Sequence, residues 1–183
     1  MAVGNLLTAF LSLLTSFLYV LVYTPMKKVS WLNTSIGAIP GAIPPMGGWA
    51  AARGELGVEA WVLFGILFAW QHPHFYAIAW MFKEDYAKAG FKMLPVIHPD
   101  GKQTFEQIFL FLILLIVVST VPCFIGMSGR LYGIGALILG AWMAMVGINF
   151  IRSKTNIQAK ELLKATVFYL PLLLLLIMVD VHF

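Results

Sequence analysis

The sequence predicts an all-α fold, a polytopic transmembrane helix bundle, and three observations carry that prediction. Apolar residues make up 61% of the 183 and charged residues 11%, whereas a soluble domain is near half apolar and a quarter charged. So few charges cannot cover a water-facing surface, and lipid must be the solvent. The apolar residues also form six long continuous runs rather than the alternating pattern of a membrane β-strand. The charges, finally, fall between the runs and mostly on alternate connections.

A bilayer core of about 30 Å takes roughly 20 apolar residues as a helix. The expected spans are Val3 to Tyr23, Trp31 to Ala52, Val58 to Phe82, Phe105 to Met127, Leu131 to Ile151 and Leu162 to Val179. Residues 1–183 read as a single transmembrane domain with no internal repeat. The first run lacks a basic leader and a small-x-small cleavage site, so it reads as a span and not as a cleaved signal. The second run is unusual. Gly37 and Gly41 are four apart, a close-packing face, and Pro44 and Pro45 are expected to disrupt the helix. Such a break is tolerated only inside protein or beside a water-filled cavity, so this run is expected to be internal. Cys123 is the only cysteine, which excludes an intrachain disulfide and reads as a small buried residue.

Ten of the 12 basic residues lie on the first, third and fifth connections or just inside the helices beside them: Lys27, Lys28, Lys83, Lys88, Lys92, Lys102, Arg152, Lys154, Lys160 and Lys164. Arg53 and Arg130 alone fall on the other side. The positive-inside rule places the basic face in the cytoplasm, or in the matrix of a mitochondrion. Short ends without a transit segment favour a bacterial inner membrane. The lysines follow the topology, so no nucleic-acid partner is expected. The third connection, Lys83 to Thr104, is the longest and has the most room for chemistry. Asp180 reads as a solvated end on the opposite face.

Two stretches carry chemistry. Trp70-Gln71-His72-Pro73-His74-Phe75 puts two histidines within a span, His74 on the order of 12 Å below the basic face. Groups at that depth face a cavity or another helix. Residues 72 and 74 point to different sides, so they do not chelate one metal together. Trp70, His74 and Ala77 share a side. Two readings stay open: a histidine hydrogen-bonded between helices, or a cavity histidine that touches a planar ligand or moves a proton. Just past that span, Glu84 and Asp85 sit among Lys83, Lys88 and Lys92. Carboxylates beside lysines suit a Mg²⁺-bridged polyphosphate, because Mg²⁺ takes one or two carboxylates plus substrate phosphates. Ordinary positive-inside lysines with carboxylate neighbours are the alternative.

The runs Tyr23-Thr24-Pro25-Met26-Lys27-Lys28, Asn33-Thr34-Ser35-Ile36-Gly37-Ala38 and Gly41-Ala42-Ile43-Pro44-Pro45-Met46-Gly47-Gly48-Trp49-Ala50 resemble the protoheme IX farnesyltransferase (heme O synthase) family, a branch of the UbiA-type intramembrane prenyltransferases. Pro73-His74-Phe75 and the run from Asp85-Tyr86 to Pro95-Val96 resemble it again, in the same order. The last three spans match mainly in hydropathy. The resemblance implies transfer of a farnesyl group from farnesyl diphosphate to a vinyl group of heme B, with water completing the hydroxyethylfarnesyl group. The product is heme O, used by terminal oxidases directly or after conversion to heme A, which implies heme A synthase or oxidase assembly as partners. It implies Mg²⁺ on Asp85 with Glu84 beside it. Lys27, Lys28 and Lys88 would meet the diphosphate, Asn33 and Tyr86 would meet substrate, and His74, with His72 less directly, would contact heme or help a proton transfer.

Two departures from the family pattern follow. The position four after Asp85 is Ala89, where related motifs often carry a second carboxylate. The first acidic motif of the family is missing, since no aspartate precedes Asp85 and no glutamate precedes Glu55. The family fold has nine helices and six are seen, so the chain reads as the C-terminal two-thirds, inactive by itself. The alternatives are a related prenyltransferase acting on a quinone or chlorophyll precursor, and a non-catalytic heme-binding or oxidase-assembly protein.

Overall fold

The structure is a computed structural model and describes residues 5–180. All of its regular elements among these residues are helical. The first span is one rod, Leu6–Val29, made of α1 (Leu6–Phe17), a π-helical stretch (Leu18–Tyr23) and α2 (Thr24–Val29). Pro25 explains the wide turns, because its ring cannot donate and crowds the preceding turn. The Thr24 N–H and hydroxyl both reach back to Tyr19 O instead, the hydroxyl at 2.9 Å. Asn5 caps α1 by accepting from Thr8 N–H at 2.8 Å, and its amide donates to Ala50 O at 2.7 Å. Residues 3 and 4 of the expected first span lie outside the described residues.

α3 (Asn33–Arg53) continues through Pro40, Pro44 and Pro45. This corrects the expected disruption. Ala38, Ala42, Ile43, Met46 and Ala50 are buried against α1 and α4, and packing on two sides outweighs the lost backbone bonds. Gly54 ends the helix in the left-handed conformation, φ +81°, with its N–H on Ala50 O.

α4 (Val58–Met81) is the central rod and packs against α3, α7 and α9. Ile66, Ala69, Tyr76 and Ala77 are fully buried on its inner side, while Trp61 and Phe75 are exposed, so one side of the helix is internal and the other is not. The third connection is not the plain loop expected. It folds two short helices, α5 (Lys83–Lys88) and α6 (Leu94–Ile97). The remaining rods are α7 (Lys102–Phe124), α8 (Arg130–Ser153) and α9 (Asn156–Val179). α7 begins and ends three residues before the expected Phe105 and Met127. α9 begins six residues before the expected Leu162. Both early starts arise because polar first turns, such as Lys102-Gln103-Thr104, are helical yet lie beyond the apolar run; α7 ends early because the chain turns at Gly126, φ +74°.

α4, α7, α8 and α9 enclose the main core, with Tyr76, Tyr132, Tyr169, Phe150 and Leu162 fully buried. Buried hydroxyls need partners in lipid: Tyr132 donates to Ser119 O at 2.7 Å, and Ser119 and Tyr169 hydroxyls pair at 2.9 Å. Asp180 is not a free solvated end. Its carboxylate accepts from Tyr132 N–H at 2.8 Å and its carbonyl from Gly129 N–H at 3.0 Å, tying the end of α9 to the start of α8. Cys123 is half-buried and donates weakly to Gly129 O. The outer surface is apolar: Phe10, Leu13, Phe109, Ile138, Phe168 and Met178 are exposed. Four rods, Leu6–Val29, Lys102–Phe124, Arg130–Ser153 and Asn156–Val179, are long and apolar enough to cross a membrane. The chain is a multi-pass membrane protein.

Candidate functional site

The basic connections meet at one end of the bundle. Phe91–Met93 fold back over the end of the first rod through Lys92 N–H, which donates to Lys27 O at 2.7 Å. Asn33 fastens the same junction. It is fully buried, and its amide donates to Ser30 O at 2.7 Å and to Lys92 O at 3.0 Å. Asn33 therefore ties three chain segments together.

A cavity of about 250 Å³ opens beneath this junction. From the first rod come Tyr19, Tyr23 and Lys27, spaced by four residues. Gly37 and Gly41 form its α3 wall, Gln71 and Phe75 its α4 wall, and Tyr86, Phe91 and Met93 its roof. The two glycines are required for space. A Cβ at Gly37 would lie 2.5 Å from Tyr23 Cε2, and one at Gly41 would overlap Gln71 Oε1. Gln71 is itself held by donation to Ala38 O and Leu67 O, both at 3.1 Å.

The electrostatics are cationic and aromatic. The Lys27 ammonium lies 4.4 Å from the Tyr23 ring centroid and 5.9 Å from that of Tyr19, a cation–π arrangement that holds the charge at the cavity mouth. Burial raises the Tyr86 phenol above its ordinary value, so it stays protonated and can donate. Lys28 is exposed on α2. Glu84 and Asp85 are exposed in the first turn of α5, next to Tyr86. Asp85 lies 3.9 Å from Lys88, with both side chains more than 70% exposed. Among the described residues no group of three or more histidines, cysteines or carboxylates could hold a metal. Neither carboxylate lines the cavity, and both are exposed in the turn that precedes its wall residue Tyr86. Two such carboxylates fit a Mg²⁺ only if its remaining oxygens come from a diphosphate and water, not a metal held by protein alone.

The two histidines separate. His72 is fully buried, stacked on Phe111 at 3.4 Å between centroids. Its Nδ1 is 2.8 Å from Phe68 O, which can only accept, so Nδ1 carries the proton and Nε2 accepts from the Ser35 hydroxyl at 3.1 Å. Both nitrogens are used within the protein. His74 is half-buried and turns toward α9, stacked on Trp70 at 4.8 Å, with Nδ1 2.8 Å from Thr166 Oγ1. No sequence motif pointed to Tyr19 or Thr166, and Phe75 entered only as the last residue of the Trp70-to-Phe75 stretch. The four-residue spacing of Tyr19, Tyr23 and Lys27 was the available signal for the first.

The sequence profile of the UbiA prenyltransferase family matches residues 1–175. The chain belongs to the UbiA prenyltransferase family. Its similar UbiA relatives include the protoheme IX farnesyltransferase of Solibacter usitatus, 52% identical over 96% of this chain and 60% of the relative. That of Koribacter versatilis is 45% identical over 96% and 59%, and that of Salinibacter ruber 46% identical over 88% and 57%. This UbiA chain thus spans about 60% of the length of the curated relatives it matches. No solved structure matches it.

Proposed function

We propose that the chain is the C-terminal part of a prenyltransferase that moves a farnesyl group from farnesyl diphosphate to a vinyl group of heme B; diphosphate leaves, the new C–C bond forms at the vinyl group, and water then adds to the resulting cation and loses a proton, giving heme O. The observation that carries this reading is the cavity that joins Lys27 and Tyr86 beside Asp85, in a chain 52% identical to a protoheme IX farnesyltransferase. In this reading the diphosphate sits at the basic mouth and the farnesyl chain lies along the apolar walls.

Diphosphate departure needs positive charge where negative charge develops. Lys27 supplies it at the cavity mouth, and exposed Lys28 and Lys88 raise the local potential. The Tyr86 hydroxyl donates to a phosphate oxygen. Asp85, with Glu84 beside it, would hold a Mg²⁺ that neutralises the leaving group. The rings of Tyr19, Tyr23 and Phe75 exclude water from the allylic carbon, which must meet the porphyrin vinyl group before solvent. His74 contacts the porphyrin, whereas His72 braces α4 against α3. The substrates enter from lipid, and heme O passes to terminal oxidase assembly. The membrane is a bacterial plasma membrane with the basic face cytoplasmic.

The test uses the complete protein, meaning this chain with the upstream sequence that brings it to the length of its relatives. Membranes containing it receive heme B, farnesyl diphosphate and Mg²⁺, and farnesylated heme is sought by mass spectrometry. Product is expected, with at least a hundredfold loss in Asp85→Ala and none from residues 1–183 alone. Bound heme without product would overturn the reading in favour of a heme-binding or assembly role.

A further inference from the structure

The most constrained polar contact that the transfer mechanism does not use lies between α4 and α9. The Thr166 hydroxyl has one proton, and it donates that proton to Leu163 O at 2.6 Å. Thr166 Oγ1 can then only accept from His74 Nδ1, at 2.8 Å. This fixes His74 in the Nδ1–H tautomer and leaves a lone pair on Nε2. The backbone of the same residue holds the neighbouring ring, since Trp70 Nε1 donates to Thr166 O at 2.7 Å and Trp70 stacks on His74. Thr166 is fully buried, so the arrangement is locked from behind.

No described residue hydrogen-bonds Nε2, and it is not among the enclosed unpartnered polar atoms. It therefore reaches accessible surface, on a helix side where His74 is half-buried and Phe75 exposed. Leu67, Gln71, His74, Phe75 and Ile78 fall on one strip of that helix by their spacing. α3 and α9 flank the strip without extended contact with each other. Gln71 and Phe75 also line the cavity described above, so the strip and the cavity adjoin. The strip is apolar apart from Gln71 and His74.

Resting on the farnesyl-transfer reading, we propose that Thr166 is a positioning residue that locks the tautomer of His74 and so presents Nε2 as an axial ligand to the iron of the porphyrin substrate. The lone pair of a neutral imidazole forms the bond, and no proton or electron moves. A hydrogen bond at the far nitrogen is the usual support for a metal-bound histidine. A general-base role fits less well, because it would create an imidazolium inside the membrane where no described carboxylate forms an ion pair with it.

The test is resonance Raman spectroscopy of ferrous heme B bound to the complete protein in lipid nanodiscs. An iron–histidine stretching band is expected. His74→Gly should lose it and added imidazole should restore it. Thr166→Ser should keep the wild-type frequency. Thr166→Val should lower the frequency and weaken heme binding by about tenfold or more. A band unchanged in His74→Gly, or the same frequency in Thr166→Val as in wild type, overturns the proposal. Heme that binds and is farnesylated without such a band sinks the ligation and leaves the reaction standing. A protein that binds no heme overturns both.

Discussion

Asn33 shows how a polar residue near the membrane surface can act through backbone. Its amide bonds Ser30 O and Lys92 O, and the side chain is fully buried. Asn33→Ala removes the amide from both carbonyls; Ser30 O keeps the residue-33 N–H at 3.2 Å, whereas Lys92 O loses the bond across the junction, at a cost of about 1–3 kcal/mol. The expected result is faster hydrogen exchange at residues 89–93, with the α8–α9 end unchanged. The Asp85–Lys88 pair behaves oppositely. Its side chains are largely exposed, and such pairs contribute about 0–1 kcal/mol. Lys88→Ala should therefore leave thermal stability almost unchanged in detergent while lowering farnesyl transfer by the complete protein. Equal loss of stability and activity would count against a role at the diphosphate.

At the scale of elements, the cavity depends on two glycines of α3. Gly37 faces the rigid Tyr23 ring, whereas Gly48 has nothing within 4 Å of an added Cβ. Gly37→Ala should cost about 1–3 kcal/mol by overpacking and raise KM for farnesyl diphosphate. Gly48→Ala should leave both near wild type. The same elements show what the sequence made legible. The rods could be read because lipid demands about 20 apolar residues per crossing, and hydropathy records that demand directly. Their polar ends could not, because the first turns of α7 and α9 lie beyond the apolar run. The continuity of α3 through three prolines was missed because helix propensity is local, while the packing that sustains the helix is tertiary. Lys27, Tyr86, Asp85 and His74 were legible as residue types in a motif. Thr166 was not, because nothing in hydropathy says which helix α4 will face. The tie between Asp180 and α8 was hidden for the same reason.

At the scale of the molecule, the basic residues gather at the end that carries the cavity, the first, third and fifth connections. Single cysteines at Lys92 and Lys154, in a Cys123→Ser background, should react with an impermeant thiol reagent from the cytoplasmic side only. One at Arg53 should react from the outer side only. The reverse pattern would invert the topology and with it the supply of both substrates. The central claim is that farnesyl diphosphate occupies the cavity beneath the Asn33 junction. Its most direct test is photo-crosslinking of the complete protein with a diazirine-bearing farnesyl diphosphate analogue in the presence of Mg²⁺, followed by peptide mapping. The label should fall on the Tyr19–Lys27 or Gln71–Phe75 segments or on residues 86–93, and excess farnesyl diphosphate should suppress it. Suppressible label on the separate groove between Thr8 and Ala51, with these segments clean, would contradict the account.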